Sequence, residues 1–258
     1  MAPMAKDIVA AVREICLSFP ETEEWLSHGA PNFRVRGKTF ASYVVNHHGD
    51  GRVALWLNMP DGAQAFHTRD EPRHFFVPPY VGPRGWLGVN LDKGLAWKRI
   101  AALVRAAYCR VAPARLTATL GRTIEIEPPK RGPSAAELDP LARPAARRLL
   151  AQLRTICGAW PEVSEGMQFG HPVWRAGRRV FASAYARDGG VRFAFWVGAD
   201  RQGLLTSDAR YRIPVYTGHL GWIELDVTGG CPRDEVVALA LESYRHYALQ
   251  RMRAALAP

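Results

Sequence analysis

The chain has 258 residues, 48% of them hydrophobic, and carries a formal net charge of +10. That length suits two ordinary domains, each with its own core. No apolar run reaches spanning length, and Met1 to Asp7 lacks the layout of a signal peptide, so the sequence reads as a cytoplasmic protein without a membrane partner. The positive surplus favours an acidic partner such as nucleic acid. The excess of Arg over Lys, with abundant Ala and Gly, also fits GC-rich coding.

Met4 to Leu17 places Ile8, Val9, Val12, Ile15 and Cys16 at helical spacing, and Phe19-Pro20 ends that helix. Strands are predicted over residues 33–35, 39–45 and 53–57, with Arg36-Gly37-Lys38 as a tight hairpin and His48 to Gly51 as the next turn. Residues 75–77 and 87–91 are further strands, and Leu95 to Val111 closes the unit as an amphipathic helix. Gly121 to Ala146 contains Pro128, Pro129, Pro133, Pro140 and Pro144, which predicts a stiff, extended joint. Beyond it the order returns: a helix over 149–157, strands over 173–175, 180–186, 191–197 and 222–227, and a closing helix over 235–256. A helix, a sheet of antiparallel hairpins and a second helix make an α+β pattern.

The second half repeats the first. Phe33-Arg34 through Phe40-Ala41-Ser42 returns as Trp174-Arg175 through Phe181-Ala182-Ser183. Cys16 through Pro20-Glu21 returns as Cys157 through Pro161-Glu162, and Ala54-Leu55-Trp56-Leu57 as Ala194-Phe195-Trp196-Val197. Tyr80-Val81-Gly82 through Gly85-Trp86 returns as Tyr216-Thr217-Gly218 through Gly221-Trp222. Four landmarks in one order, about 140 residues apart, define a duplicated domain rather than a solenoid repeat. The expected boundaries are 1–120 for the first copy, 121–146 for the joint and 147–258 for the diverged second copy.

These residues carry a resemblance. His28-Gly29-Ala30-Pro31, Phe33-Arg34-Val35, Gly37-Lys38 and Phe40-Ala41 resemble the opening motif of the MmcQ/YjbR family. Arg73 to Gly82 with Gly85-Trp86 resembles its second motif, and Tyr108 to Leu116 its closing helix. The second copy keeps Gly170, Pro172, Trp174, Arg175, Phe181, Tyr216, Gly218, Gly221 and Trp222, but reads Tyr211-Arg212-Ile213-Pro214-Val215 where the first has Phe75 to Pro79. The resemblance implies a CyaY-like fold, also called a double-wing motif, and a DNA-binding role assigned to members on fold grounds. Some members sit among antibiotic-biosynthesis genes, which implies a drug-binding or resistance role. It supplies no catalytic residues.

The residues themselves argue against catalysis and against metal. No GxSxG occurs, the cysteines Cys16, Cys109, Cys157 and Cys231 form no CxxC pair, and no histidine is matched between copies. His28 aligns with Phe169, while His47 and His48 align with Asp188 and Gly189 and are expected at a strand end on opposite faces. Frataxin-like relatives of the implied fold hold iron with acidic helices; here the first helices carry Lys6, Arg13, Arg147, Arg148 and Arg154. No cofactor is expected. The nucleic-acid candidates are Arg34, Lys38, Arg84, Arg175, Arg178 and Arg179, cations on a strand, hairpin or turn that can meet phosphates. Tyr80, Trp86, Tyr216 and Trp222 flank the glycine turns and are candidates for stacking, on a base or on a planar, DNA-intercalating compound. DNA is the first partner expected and sequestration of such a compound the alternative.

Overall fold

The computed structural model describes residues 7–27 and 30–256, so the predicted helix residues Met4 to Lys6 and the motif residues His28 and Gly29 lie outside the described residues. The chain forms two compact units, residues 1–138 and 139–258.

In the first unit, helix α1 (Ile8–Leu17) starts where the Asp7 carboxylate accepts the Ala10 N–H at 2.8 Å, and it buries Ile8, Ala11, Val12, Ile15 and Cys16. Strands β1 (Thr22–Ser27), β2 (Ala30–Val35), β3 (Lys38–Val45) and β4 (Val53–Asn58) follow. Helix α2 (Ala63–Asp70) and the short β5 (Phe75–Phe76) lead to β6 (Trp86–Asn90) and then α3 (Trp97–Val111) and α4 (Ala114–Thr117). The sheet is antiparallel, in the order β1-β2-β3-β4-β6-β5. Helices α1 and α3 pack on one face, where Phe33, Phe40, Leu55, Leu57, Val89 and Tyr108 are fully buried.

The stretch predicted as an extended joint belongs largely to the first unit. Leu120, Ile124, Ile126 and Leu138 pack against its core, and α5 (Ala135–Leu138) forms inside the stretch. Ile124 and Ile126, ahead of the first proline of the stretch, and Leu138, between Pro133 and Pro140, are what hold it down. The second unit begins with a 3-10 turn at Pro140–Ala142, and its first α-helix is α6 (Pro144–Gly158), whose first helical residue is proline.

Strands β7 (Val163–Gln168), β8 (His171–Ala176), β9 (Arg179–Arg187) and β10 (Gly190–Trp196) follow, then α7 (Ala199–Leu205), β11 (Tyr211–Arg212), β12 (Trp222–Asp226), α8 (Arg233–Tyr247) and α9 (Gln250–Ala254). Read from β7, the sheet order β7-β8-β9-β10-β12-β11 matches the first unit strand for strand. Even the irregularity is shared: the register shifts between Phe33 and Arg34, and again between Trp174 and Arg175. The closing helix differs from its sequence-based prediction over 235–256. It breaks at Ala248, which is extended (ψ 141°), as Ala112 is in the first unit (ψ 146°). There Pro113 marks the break, whereas Leu249 gives no such signal.

Trp174 occupies the core position held by Phe33, but its indole N–H is buried without an acceptor among the described residues. Leaving a buried donor unmatched costs about 1–3 kcal/mol. Trp174→Phe is therefore expected to stay within about 1 kcal/mol of wild type, the lost volume being offset by removal of that donor. Trp222 donates its N–H to the Tyr247 hydroxyl at 3.0 Å, so Trp222→Phe is expected to cost more, about 1–2 kcal/mol. Denaturant midpoints of the two variants check the contrast.

Candidate functional site

The hairpin and the glycine turn lie at the same end of each sheet. Strand β3 begins at Lys38, its antiparallel neighbour β4 ends at Asn58, and β6 begins opposite that end at Trp86. In the second unit Arg179, Trp196 and Trp222 hold the same places. Two strand spacings, about 10 Å, separate hairpin from turn. Residues Arg36 and Gly37 form the first hairpin turn with φ of 49° and 75°, a primed turn that suits the twist of the strands. Gly177 and Arg178 form the second, with positive φ (60°) only at the glycine.

Each glycine turn is held by a glutamine that sequence reading missed. Gln64 donates to the carbonyls of Gly82 (2.8 Å) and Trp86 (2.5 Å). Gln202, only 6% exposed, donates to those of Gly218 (2.8 Å) and Trp222 (2.6 Å). Val77 packs so close to Gly82, and Ile213 to Gly218, that a methyl group at either glycine would collide with it. The glycines are thus close-packing positions, while Gly85 and Gly221, with φ of 81° and 88°, supply the left-handed backbone that ends each turn.

The structure divides the candidate cations. Arg34 is engaged by Glu23 at 3.0 Å and lies over the Trp25 ring, and Arg175 donates to the Gln168 side chain at 3.1 Å. Their match between copies is accounted for by ties to the neighbouring strands β1 and β7. Lys38, Arg84, Arg178 and Arg179 are exposed, and none has a carboxylate within ion-pair distance among the described residues.

Other matched charges are also structural. Arg13 pairs with Glu24 as Arg154 does with Glu165, fastening the first helix to the edge strand. Glu21 takes Arg36 and Arg115, and Glu162 takes Arg251; both glutamates have positive φ (53° and 51°). The Arg36 and Arg115 side chains hold the Glu21 carboxyl below its usual range, and Arg251 does the same for Glu162. Tyr108 and Tyr244 donate to the carbonyls of Pro20 and Pro161 at 2.9 and 2.7 Å.

One tie is kept with its polarity exchanged. In the first unit Glu71, before β5, accepts two bonds from Arg99 in the first turn of α3. In the second unit Arg210, before β11, donates two bonds to Glu235 in the first turn of α8, each at 2.9 Å. Glu235 also accepts from the Tyr211 hydroxyl and the Cys231 thiol.

The aromatic candidates divide as well. Tyr80 and Tyr216 are 64% and 72% exposed, so both can present a ring to a ligand. Trp86 is half-buried, and Trp222, 8% exposed and bonded to Tyr247, is a wall of the fold without a free stacking face. Tyr80 has φ of 63°, unusual for an aromatic residue, and its hydroxyl lies 2.8 Å from His48 Nε2. The two histidines correct a sequence expectation: His47 and His48 lie in a short 3-10 turn, not a strand, with ring centres 4.0 Å apart. Left-handed backbone at Asn46 and His48 cancels the alternation of a strand. Among the described residues no three of His, Cys, Asp or Glu gather as a metal site. Cys16 and Cys157 are fully buried, and burial pushes both thiols well up, away from the thiolate a nucleophile needs. No helix among the described residues is long and apolar enough to cross a membrane.

Fold and site together define a duplicated α+β protein whose copies share a hairpin, a glutamine-clamped glycine turn and an exposed tyrosine. The family model described as YjbR matches residues 17–110 and again 158–246, more than half of the chain. The chain belongs to the YjbR family. Among solved structures it is similar to Deinococcus radiodurans protein DR2400, whose family-model domain is DUF419, at 16% identity and a TM-score of 0.36, over 43% of this chain and 82% of that one. No curated protein matches the chain.

Proposed function

We propose that the protein binds nucleic acid, DNA first, without catalysis, through the hairpin-and-turn end of each unit. One observation carries this reading. Lys38 and Arg84 in the first unit, and Arg178 and Arg179 in the second, are exposed and have no carboxylate within ion-pair distance among the described residues, while most nearby arginines are engaged. Exposed cations beside an exposed tyrosine suit a phosphate backbone with a base or sugar against the ring. Arg34 and Arg175 drop out of the contact set. The planar-compound alternative has no comparable support. A cleft of about 800 Å³ in the first unit is lined by Trp97, Pro128, Pro129 and Lys130, and does not include Tyr80.

Anisotropy of a labelled duplex, titrated with the full chain at several salt concentrations, tests the proposal. Four phosphate contacts predict a slope of about −3.6 in log K against log salt, hence a loss on the order of 10² in affinity between 50 and 200 mM. Lys38→Glu combined with Arg179→Glu should at least halve that slope and weaken unrelated sequences alike. Arg34→Glu is a poor test, because it would set a like charge against Glu23. Binding indifferent to salt, or unaffected by the double reversal, refutes the proposal.

A further inference from the structure

The glycine turns are matched in frame but not in what they expose. In the first unit the turn offers Val77 and Tyr80 beside Arg84. In the second, Ile213 (52%), Val215 (74%), Tyr216 (72%) and Leu220 (56%) are all exposed. Val215 stands where the first copy has Pro79, and Leu220 where it has Arg84. Four large apolar side chains left in water within eight residues are unusual on a soluble surface and mark a contact.

Their support is rigid. Gln202 clamps the turn at both ends, and Ile213 packs onto Gly218. Trp196 Nε1 donates to the Leu220 carbonyl at 3.0 Å. Gly221, at φ 88°, leaves no room for a side chain against Gly198 and Trp196. A tip so fixed loses little conformational freedom on binding. Arg178 and Arg179, on the hairpin at the same end of the sheet, supply positive charge beside it, as does Arg212 at the end of β11. An apolar point flanked by cations complements a base step flanked by phosphates, the arrangement by which wedge side chains part stacked bases and kink a duplex.

We propose that the glycine turn of the second unit is a wedge, with Val215, Tyr216 and Leu220 entering a base step of duplex DNA while Arg178 and Arg179 hold the adjoining phosphates. This rests on the nucleic-acid reading above and adds a division of labour: the first unit grips backbone, and the second also deforms it.

The test uses the full chain and a short duplex carrying 2-aminopurine at a central TA step, a step that unstacks easily. Saturating protein should raise the probe's fluorescence several-fold. Val215→Ser with Leu220→Ser, both at exposed positions, should abolish that rise while affinity falls less than tenfold and the salt slope is kept. Salt-dependent binding with no change in probe fluorescence overturns the wedge and leaves the nucleic-acid reading standing. Absence of binding overturns both. A self-association that the same double substitution disperses, seen by sedimentation, assigns the patch to a second copy of the chain and overturns the wedge.

Discussion

Gln202→Leu is expected to destabilise the second unit by about 3 kcal/mol, because two backbone carbonyls lose their donor in a site with little access to water. Leucine matches the volume but offers no N–H, so Gly218 and Trp222 would be left as unmet acceptors. The variant isolates the clamp from simple packing. Gln202→Glu asks a sharper question, since it keeps the shape but sets a carboxylate against the same two carbonyls. It should be worse than leucine at neutral pH and recover in part on acidification, as the protonated form donates once. Equilibrium denaturation at two pH values reads both effects. Equal stability of all three proteins would show that the turn is held by packing alone.

The exchanged ion pair gives the second large effect. Glu235→Ala removes the acceptor of Arg210, Tyr211 and Cys231 and should cost about 2 kcal/mol, toward the low end for charged hydrogen bonds because Arg210 is 40% exposed. Glu235→Arg should cost about 3 kcal/mol, adding like-charge repulsion and a cation in the first turn of α8. Adding Arg210→Glu should recover at least half of that loss, the remainder reflecting Asp208, which pairs with Arg210 at 2.7 Å and would face a carboxylate. A double variant no better than Glu235→Arg would show that the pair does not couple. The pair also has a pH signature. Burial alone would raise the Glu235 pKa, but bonds from Arg210, Cys231 and Tyr211 outweigh it and leave the carboxyl below its usual value. Its contribution is therefore present above the ordinary carboxylate range and lost as pH falls through the lowered value. Glu71, held down by Arg99, has the same sign.

The sequence discloses the duplication and its hairpins because alternation and glycine turns are local signals. It hides β1 and β7, whose residues Thr22 to Ser27 and Val163 to Gln168 are mostly polar and lie at an exposed sheet edge, where no apolar alternation is required. It hides α2 and α7, too short and too polar to show a periodic face. At the site, Arg34 and Arg175 stand out as matched cations, yet their partners Glu23 and Gln168 come from a neighbouring strand that the pattern does not reveal. Gln64 and Gln202 each lie six residues beyond equivalent strand ends, Asn58 and Trp196. Pairing Ala54-Leu55-Trp56-Leu57 with Ala194-Phe195-Trp196-Val197, however, is two residues out of the strand register, in which Leu57 corresponds to Phe195, so the sequence does not bring the glutamines into line. Only the fold shows that both reach the same two carbonyls.

The exchanged polarity also bears on how a chain with two like halves folds correctly. Twin domains on one chain can trade equivalent helices, giving a misassembled product whose cores are nearly native. Here such a trade is penalised from both sides. Helix α3 laid on the second sheet would bring Arg99 against Arg210, and α8 laid on the first would bring Glu235 against Glu71. Each closing helix thus carries a charge that its own sheet accepts and its sister's rejects, an address written in one residue.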